Sequence, residues 1–546
     1  MVKMSFLTKS DCFISKGCID MKRVLCKTIS VLLSLIFVFS AIICVPAAAA
    51  DNMSGTDIPL IYIVGTGNDI YVTDEDGTQR TLFPVNLPID HFLEVAKENI
   101  GVFAKALFTQ EWTEFGNLVR DTISPLYHEL ALDENGEAPN GSTCRWTYNK
   151  SQLPTGKVNG KYPTMNYEFF YDWRMDPYKI ADQLHQFIED VLDVTGEEQV
   201  AIMGRCLGSC IATAYMEKYD GEHVRDLIIY ASALNGAEIC SKLFSSDMYL
   251  DADGIERFVN DVDINIEGMT KELINAFVTV FNDTYGLDFA CWAVNNVWEN
   301  IYLDIMPQIL IDSFGTFPGY WSMVSDRDYN RAKENIFHNQ DMEKWAPFID
   351  IIDNYHYNVQ MKAPELFKEY EERGIFVSNI TKYGYQAIPL NAPADELSDS
   401  YCTVYDASMG AVTSSMNSTL SDKYIADAEA NGTAKYISPD KQIDASTCLF
   451  PDRTWFIKNY KHKDFYNEIN PLLNSIVNGH GEFTVDSDER YPQFLVIEGY
   501  DAFPMTEENM DTTQRYNSSF RESLKLIFEW LTEMIKNYFA GLAVQE

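Results

Sequence analysis

Basic residues are scarce in this chain. Its 546 residues include 42 lysines and arginines against 81 aspartates and glutamates, for a formal net charge of -39. A surface of that sign repels phosphate backbones, which argues against a nucleic-acid partner and disfavours anionic membranes; a local peripheral membrane contact stays open. Beyond residue 50 no run is long and apolar enough to span a bilayer. No C-x-x-C pair and no zinc-type Cys/His spacing occurs. The acidic turns Asp74-Glu75-Asp76-Gly77 and Asp251-Ala252-Asp253-Gly254 do not complete an EF-hand loop, so turn formation is the better reading and no metal or other cofactor is expected. Internal repeats and low-complexity linkers are missing too. Apolar material is abundant: 46% of residues are hydrophobic and 13% aromatic, ample for a buried core. The length suits one large core with insertions, or two or three domains.

Residues 1–50 read as an export region with its expected start at Met21. Lys22, Arg23 and Lys27 form a basic opening, residues 29–45 are almost wholly apolar, and Pro46-Ala47-Ala48-Ala49-Ala50 offers small residues for cleavage. A retained membrane anchor is the alternative. Cys44 follows bulky Ile43, where lipid attachment wants a small residue. A secreted, extracellular chain, with cell-surface association left open, is the expectation. Seven cysteines remain after residue 50 (Cys144, Cys206, Cys210, Cys240, Cys291, Cys402 and Cys448), an odd number that leaves at least one thiol free or paired between molecules.

Apolar runs at 58–64, 167–171, 199–203, 224–230, 374–380, 454–458 and 493–497 read as strands, and the stretches between many of them have helical spacing. Asp176-Pro177 supplies an N-cap and a first-turn proline, with Ile180, Leu184, Phe187, Ile188 and Val191 on one face of the helix that follows. Further helices are expected over 90–108, 209–219, 464–477 and 519–542. Such alternation implies an α/β chain with a mainly parallel sheet covered on both faces. Residues 237–372 depart from it, with long helical stretches rich in aromatic residues, and read as a helical cap inserted over the sheet. The expected organisation is therefore a core at 51–236, the insertion at 237–372, the second part of the core at 373–478, and a strand-and-helix extension at 479–546.

The sharpest local signal is Gly204-Arg205-Cys206-Leu207-Gly208 between a strand and a helix. This is the spacing of a nucleophile elbow with cysteine where serine is usual. Side chains two residues either side of a nucleophile on so tight a turn would collide with the turn and the neighbouring strand. The helix that follows directs its free N–H groups at Cys206, and Arg205 adds a positive charge; both favour a thiolate. The Leu207 N–H is one expected oxyanion donor, and the Gly65-Thr66-Gly67 turn after the first strand, at Thr66 and Gly67, supplies the second. Ser209 and Cys210 fall where side chains enter the helix–sheet contact and read as packing residues. A Cys206–Cys210 disulfide is awkward at this turn and ranks last.

Tyr171-Asp172-Trp173-Arg174 with Asp176-Pro177 ahead of the elbow, Ser313-Phe314-Gly315-Thr316-Phe317-Pro318-Gly319 in the insertion, and Ser398-Asp399 downstream together resemble the lecithin:cholesterol acyltransferase-like branch of the α/β-hydrolase fold. The likeness spans roughly residues 59–477. It implies action on acyl esters, often of lipids, by hydrolysis or acyl transfer through a nucleophile–acid–base triad. On that resemblance the nucleophile falls on Cys206, the acid on Asp399 and the base on His462, in the chain order the fold requires. Three departures stand out: cysteine replaces serine, Val64 stands where the family has histidine, and Ser400 follows the acid where glycine is usual. Asp395 and Asp406 compete for the acid, and His480 is the other histidine beyond it. Trp173, Phe317 and Trp321 are expected to border the acyl site, with Arg174 pairing with Asp172 or another acidic neighbour.

The resulting expectation is a secreted acyl-ester hydrolase or O-acyltransferase acting on a small-molecule or lipid ester through an acyl-enzyme on Cys206. The changed nucleophile and the acidic surface also motivate a catalytically inactive binding or surface protein of the same fold. No motif fixes an oligomeric state.

Overall fold

A computed structural model describes residues 55–543, apart from 87–88, 145–147, 262–269, 388–395, 466–468 and 511–518. Residues 1–50, read from the sequence as an export region, and Asp395 therefore lie outside the described residues. The chain is mixed α/β. Eight strands form its main sheet: β1 (Leu60–Ile63), β2 (Tyr167–Phe169), β3 (Val200–Cys206), β4 (Val224–Ser232), β5 (Phe376–Tyr383), β6 (Thr454–Lys458), β7 (Phe494–Glu498) and β8 (Asp501–Pro504). Their spatial order is β2-β1-β3-β4-β5-β6-β7-β8. Every pairing is parallel except the closing β7–β8 hairpin.

The two faces of the sheet explain the near-continuous apolar runs. Along β1, Ile61 and Ile63 enter one core with Ile202, Leu227, Ile229 and Val377. Leu60 and Tyr62 enter the other, with Met203, Ile228, Ile380 and Trp455. A strand buried on both sides has no polar face to alternate with. Helices α1 (Pro177–Thr195) and α2 (Leu207–Tyr219) pack on the first face. Asp176 caps α1 by accepting the Tyr178 N–H, with Pro177 in the first turn, and Ile180, Leu184, Phe187, Ile188 and Val191 are all buried, in line with the sequence pattern. The helix Asn470–Asn478 covers the second face through Leu472, Leu473, Ile476 and Val477.

Between β4 and β5 the described residues from Glu238 to Glu372 form a run of helices and contribute no strand to the sheet. After β6 the chain crosses the second face through the helix Asn470–Asn478 and returns as β7, which extends the sheet in parallel, so the segment 479–546 adds strands to the main sheet. The last helix, Phe520–Ala543, lies against the helix Lys271–Asp283, with Ile527 packed on Leu273 and Ala276 and the rings of Phe277 and Trp530 edge to face at 5.8 Å. No described helix is long and apolar enough to cross a membrane.

Some boundaries differ from the sequence pattern. β3 runs through Gly204 and Arg205 to Cys206, and β5 extends to Tyr383, because parallel neighbours supply partners beyond the apolar stretch. The stretch 90–108 is two helices, Ile89–Glu98 and Ile100–Thr109, parted at Asn99. The helix expected from 464 begins at Asn470, since Asp464 is not helical and gives its carbonyl to Lys382. Of the two acidic stretches read as turns, Asp74–Gly77 is one, with Asp76 accepting the Thr78 N–H, whereas Asp251 accepts the Gly254 N–H at the start of the helix Ala252–Asp261.

Candidate active site

The chain runs from β1 outward to β2, then crosses back to place β3 on the other side of β1. At such a reversal the carboxyl ends of the two inner strands open a crevice, where open parallel sheets bind their ligands. Cys206 ends β3, and Gly65 closely follows the end of β1. A Cβ placed on Gly65 would sit 3.0 Å from the Cys206 Cβ and 3.6 Å from its sulfur. The β1 turn therefore lies directly against the thiol.

Cys206 is held at φ 54°, ψ -125°, a backbone region costing about 1–3 kcal/mol for a residue with a side chain. Both elbow glycines are needed sterically. A Cβ on Gly204 would lie 2.6 Å from the Gly208 carbonyl oxygen, and one on Gly208 would lie 2.3 Å from that of Ile63. Ser209 is sealed beneath the turn, its hydroxyl donating to the Cys206 carbonyl at 2.6 Å and meeting Ser232 at 2.8 Å. Cys210 is buried and donates to the Ser322 carbonyl; burial pushes its thiol up to about 12. Both are packing groups. All seven described cysteines are free thiols, and Cys206 alone among them is not fully buried.

Asp399 and His462 come from loops after β5 and β6. Asp399 is buried; its Oδ1 accepts the N–H groups of Tyr401 (3.0 Å) and Cys402 (2.9 Å), which leaves Oδ2 to meet His462 Nδ1 at 2.7 Å. The backbone doubles the link, the His462 N–H donating to the Asp399 carbonyl at 2.8 Å. Ser400 adopts φ 96°, backbone that favours glycine, which gives a physical reason for a glycine preference after such an acid. His462 Nε2 is buried with no hydrogen-bond partner, and the Tyr401 ring lies 5.0 Å from the imidazole, centre to centre.

The electrostatics tie the three groups together. Burial alone would push the Cys206 thiol up, but the imidazole of His462, the charge of Arg205 and the Leu207 N–H outweigh it and hold the thiol below its ordinary value. Burial would lower the His462 value; Asp399 and the Cys206 sulfur reverse that and raise it to about 9. Burial also opposes ionisation of Asp399, yet His462 and the Cys402 and Tyr401 N–H groups keep its carboxyl low. Together these shifts move the three groups toward thiolate, imidazolium and carboxylate in a row. The sulfur and the imidazole act on one another through charge and through side-chain hydrogen bonding, although Nε2 lacks a partner at full hydrogen-bond geometry.

The rival residues lie elsewhere. Asp406 takes both Arg327 guanidinium nitrogens, at 3.0 and 2.8 Å. His480 is 59% exposed and pairs with Asp57 beside Arg225, at the opposite end of β4 from the elbow. Trp173, Phe317 and Trp321 are all fully buried. Trp173 stacks on Tyr320 at 5.4 Å, whereas Trp321 is enclosed within the insertion by Phe244, Tyr329 and Phe337 and donates to the Gly315 carbonyl. Tyr320 belongs with Phe314, Phe317 and Trp321 to an aromatic stripe legible in the sequence, and burial pushes its phenol well above the ordinary range.

The Tyr171–Arg174 stretch braces the turn beside the sulfur. The Tyr171 hydroxyl donates to the Val64 carbonyl at 2.8 Å and the Trp173 indole to that of Asn68 at 3.0 Å, so both sides of the Thr66-Gly67 pair are tied down. Arg174 is buried, paired with Asp172, and donates to the Leu130 and Ser142 carbonyls.

Donor atoms of Asp399, Cys402 and His462 lie within 4.8 Å of one another, all buried. The carboxylate and imidazole already spend their facing atoms on the 2.7 Å hydrogen bond. The set is best described as an acid–base pair with a thiol beside it.

No protein-family model matches this chain, and no curated protein does. Among solved structures, a chain from "The crystal structure of Tle4-Tli4 complex" is similar at 12% identity, over 60% of this chain and 74% of that one, with a TM-score of 0.21. A likeness of that degree carries no argument about fold or function.

Proposed function

We propose that this chain is an acyl-ester hydrolase or O-acyltransferase with an α/β-hydrolase arrangement, akin to the lecithin:cholesterol acyltransferase-like branch, in which the helices between β4 and β5 form a cap and residues 1–50 direct export. The observation that carries the reading is the Asp399–His462 hydrogen bond beside a cysteine held on a positive-φ elbow, its thiol kept low by that imidazole. The Cys206 thiolate attacks the ester carbonyl, and the oxyanion forms against the Leu207 N–H and the Thr66-Gly67 turn. His462 gives its Nε2 proton to the departing alcohol, while Asp399 holds the ring through Nδ1. Water or an acceptor alcohol, deprotonated by the now neutral His462, then attacks the thioester and expels the Cys206 thiolate, which restores the thiolate–imidazolium pair.

The experiment is to mix the purified protein with p-nitrophenyl esters of short and long acyl chains, following nitrophenol release and the intact mass. A +acyl species on the Cys206 peptide, formed as nitrophenol appears, is the expected result. Release that persists at the wild-type rate after Cys206→Ala excludes a Cys206 acyl-enzyme. Neither release nor adduct with any ester favours an inert protein of the same architecture.

A pH prediction follows from the shifts. Thiolate is lost as pH falls through the lowered Cys206 value, and the imidazolium proton needed by the leaving group is lost as pH rises through about 9. The acylation rate is therefore expected to be bell-shaped, with its alkaline limb near pH 9 and its acid limb below the ordinary thiol range. An acylation rate that rises without limit to pH 10.5 contradicts the ion pair.

A further inference from the structure

Two buried cations converge beneath the base, and the reaction as drawn uses neither. Lys382 lies near the end of β5 and is fully buried. Its Nζ donates to three backbone carbonyls of one short turn: Lys461 at 3.2 Å, His462 at 3.3 Å and Asp464 at 2.5 Å. The other sides of the ammonium face rings, Tyr460 at 4.0 Å and Tyr230 at 4.9 Å from their centres. Arg205, from the elbow itself, places Nη2 2.7 Å from the same His462 carbonyl and Nη1 3.2 Å from the Tyr62 hydroxyl.

The chemistry of the partners identifies the form of the lysine. Carbonyl oxygens only accept, so three of them require three donors, and only the ammonium has three. That charge is held at a cost: burial first, and then the neighbouring Arg205, bring its proton affinity well below the ordinary lysine range, against Asp399, Asp464 and the Cys206 sulfur, which act to keep the proton. An unpaired buried charge is strongly unfavourable, so an ammonium spent wholly on the carbonyls of one turn is a specific device rather than filler. The turn it grips is the one that aims the imidazole.

We propose that Lys382 is a positioning residue for the base, its ammonium fixing the Lys461–Asp464 turn and, with Arg205, locking the His462 carbonyl so that the imidazole is presented to the Cys206 sulfur. The proposal rests on the reading of Cys206 and His462 as a reacting pair. Charged and titratable groups around the ammonium are Arg205 and Cys206 from the elbow, Asp399 from the acid loop, His462 and Asp464 from the turn, and the phenols of Tyr230 and Tyr460. Removing the lysine charge both slackens the turn and deletes a cation near the sulfur. Both effects weaken the thiolate, so its formation moves to higher pH.

The test reads the thiol directly and needs no ester. The rate of carboxamidomethylation of Cys206 by iodoacetamide is measured from pH 5 to 10 for the full chain, with the modified peptide assigned by mass spectrometry, in wild type, Lys382→Met and Lys382→Arg. Wild type is expected to react well below the ordinary thiol range. Lys382→Met is expected to react about tenfold more slowly at pH 6, as a rise of about one unit in the thiol inflection requires. Lys382→Arg keeps the charge without the three-carbonyl geometry and is expected to fall between, about threefold slower. A loss of stability alone would not shift the pH profile of the folded protein, which circular dichroism verifies in each variant. A folded variant of either kind whose profile superimposes on wild type overturns the proposal, and Lys382→Arg serves if Lys382→Met does not fold. A wild-type Cys206 that is unreactive at neutral pH instead overturns the reacting pair itself, and this inference with it.

Discussion

Replacing Cys206 with alanine is expected to lower kcat/KM for a short acyl ester about 10⁴-fold or more, with the fold intact. The fold survives because alanine fills no more space than cysteine at the elbow and meets the same backbone cost at φ 54°. Activity does not, because no other nucleophile stands in line. Ser209 spends its hydroxyl on the Cys206 carbonyl and Ser232, and Cys210 is sealed with its thiol pushed up to about 12. The measurement is initial-rate hydrolysis of p-nitrophenyl acetate beside a thermal melt of the same preparation. Activity of the alanine variant within a few-fold of wild type would transfer the chemistry to another group, and a collapsed melt would move the question to stability.

Gly208→Ala is the second large effect, and it acts on structure before chemistry. The added methyl would sit 2.3 Å from the Ile63 carbonyl oxygen and 2.7 Å from that of Val64. Both are backbone atoms at the end of β1, a strand paired on both sides, so neither can swing aside as a side chain would. Either α2 lifts from the sheet or the β1 turn retreats from the sulfur. The expected cost is about 3 kcal/mol of stability, in the upper range for overpacking a tight contact. Residual folded protein should hydrolyse esters at least about 100-fold more slowly, since the oxyanion turn is displaced along with the strand. Urea melts read the first effect, and rates normalised to the folded fraction read the second. A variant with the midpoint and rate of wild type would show that β1 yields more easily than its pairing on both sides suggests.

The elbow was legible in the sequence because its constraint is local. The strand, the two glycines and the small-residue helix start lie within ten residues, and sterics alone dictates their spacing. The same holds for the Asp176-Pro177 helix start and for the strands, whose apolar runs follow from burial on both faces. Asp399 and His462 could be placed by their order in the chain, but the choice over Asp406 needed three dimensions. Nothing in the sequence says that Asp406 is occupied by Arg327, 79 residues away. The grip of Lys382 and Arg205 on the His462 carbonyl was invisible for the same reason: its acceptors are backbone atoms, which carry no residue signature. Tyr171–Arg174 looked architectural, yet its particular load, the turn facing the sulfur, appears only when β2 is seen beside β1. Asp464 read as the start of a helix because its neighbours have helical spacing; the pull of a buried lysine on its carbonyl overrides that local preference.

The ends of the main sheet carry a further consequence. One margin is β2, only three residues long, and the other is β8, where Asp501 opens the strand and Pro504 closes it without an N–H to offer. Both rims are poor templates for a visiting strand: one is too short to hold it, and the other sets a carboxylate and an imino acid in its path. Such rims resist zipping edge to edge into fibrils, even with so large a parallel sheet between them.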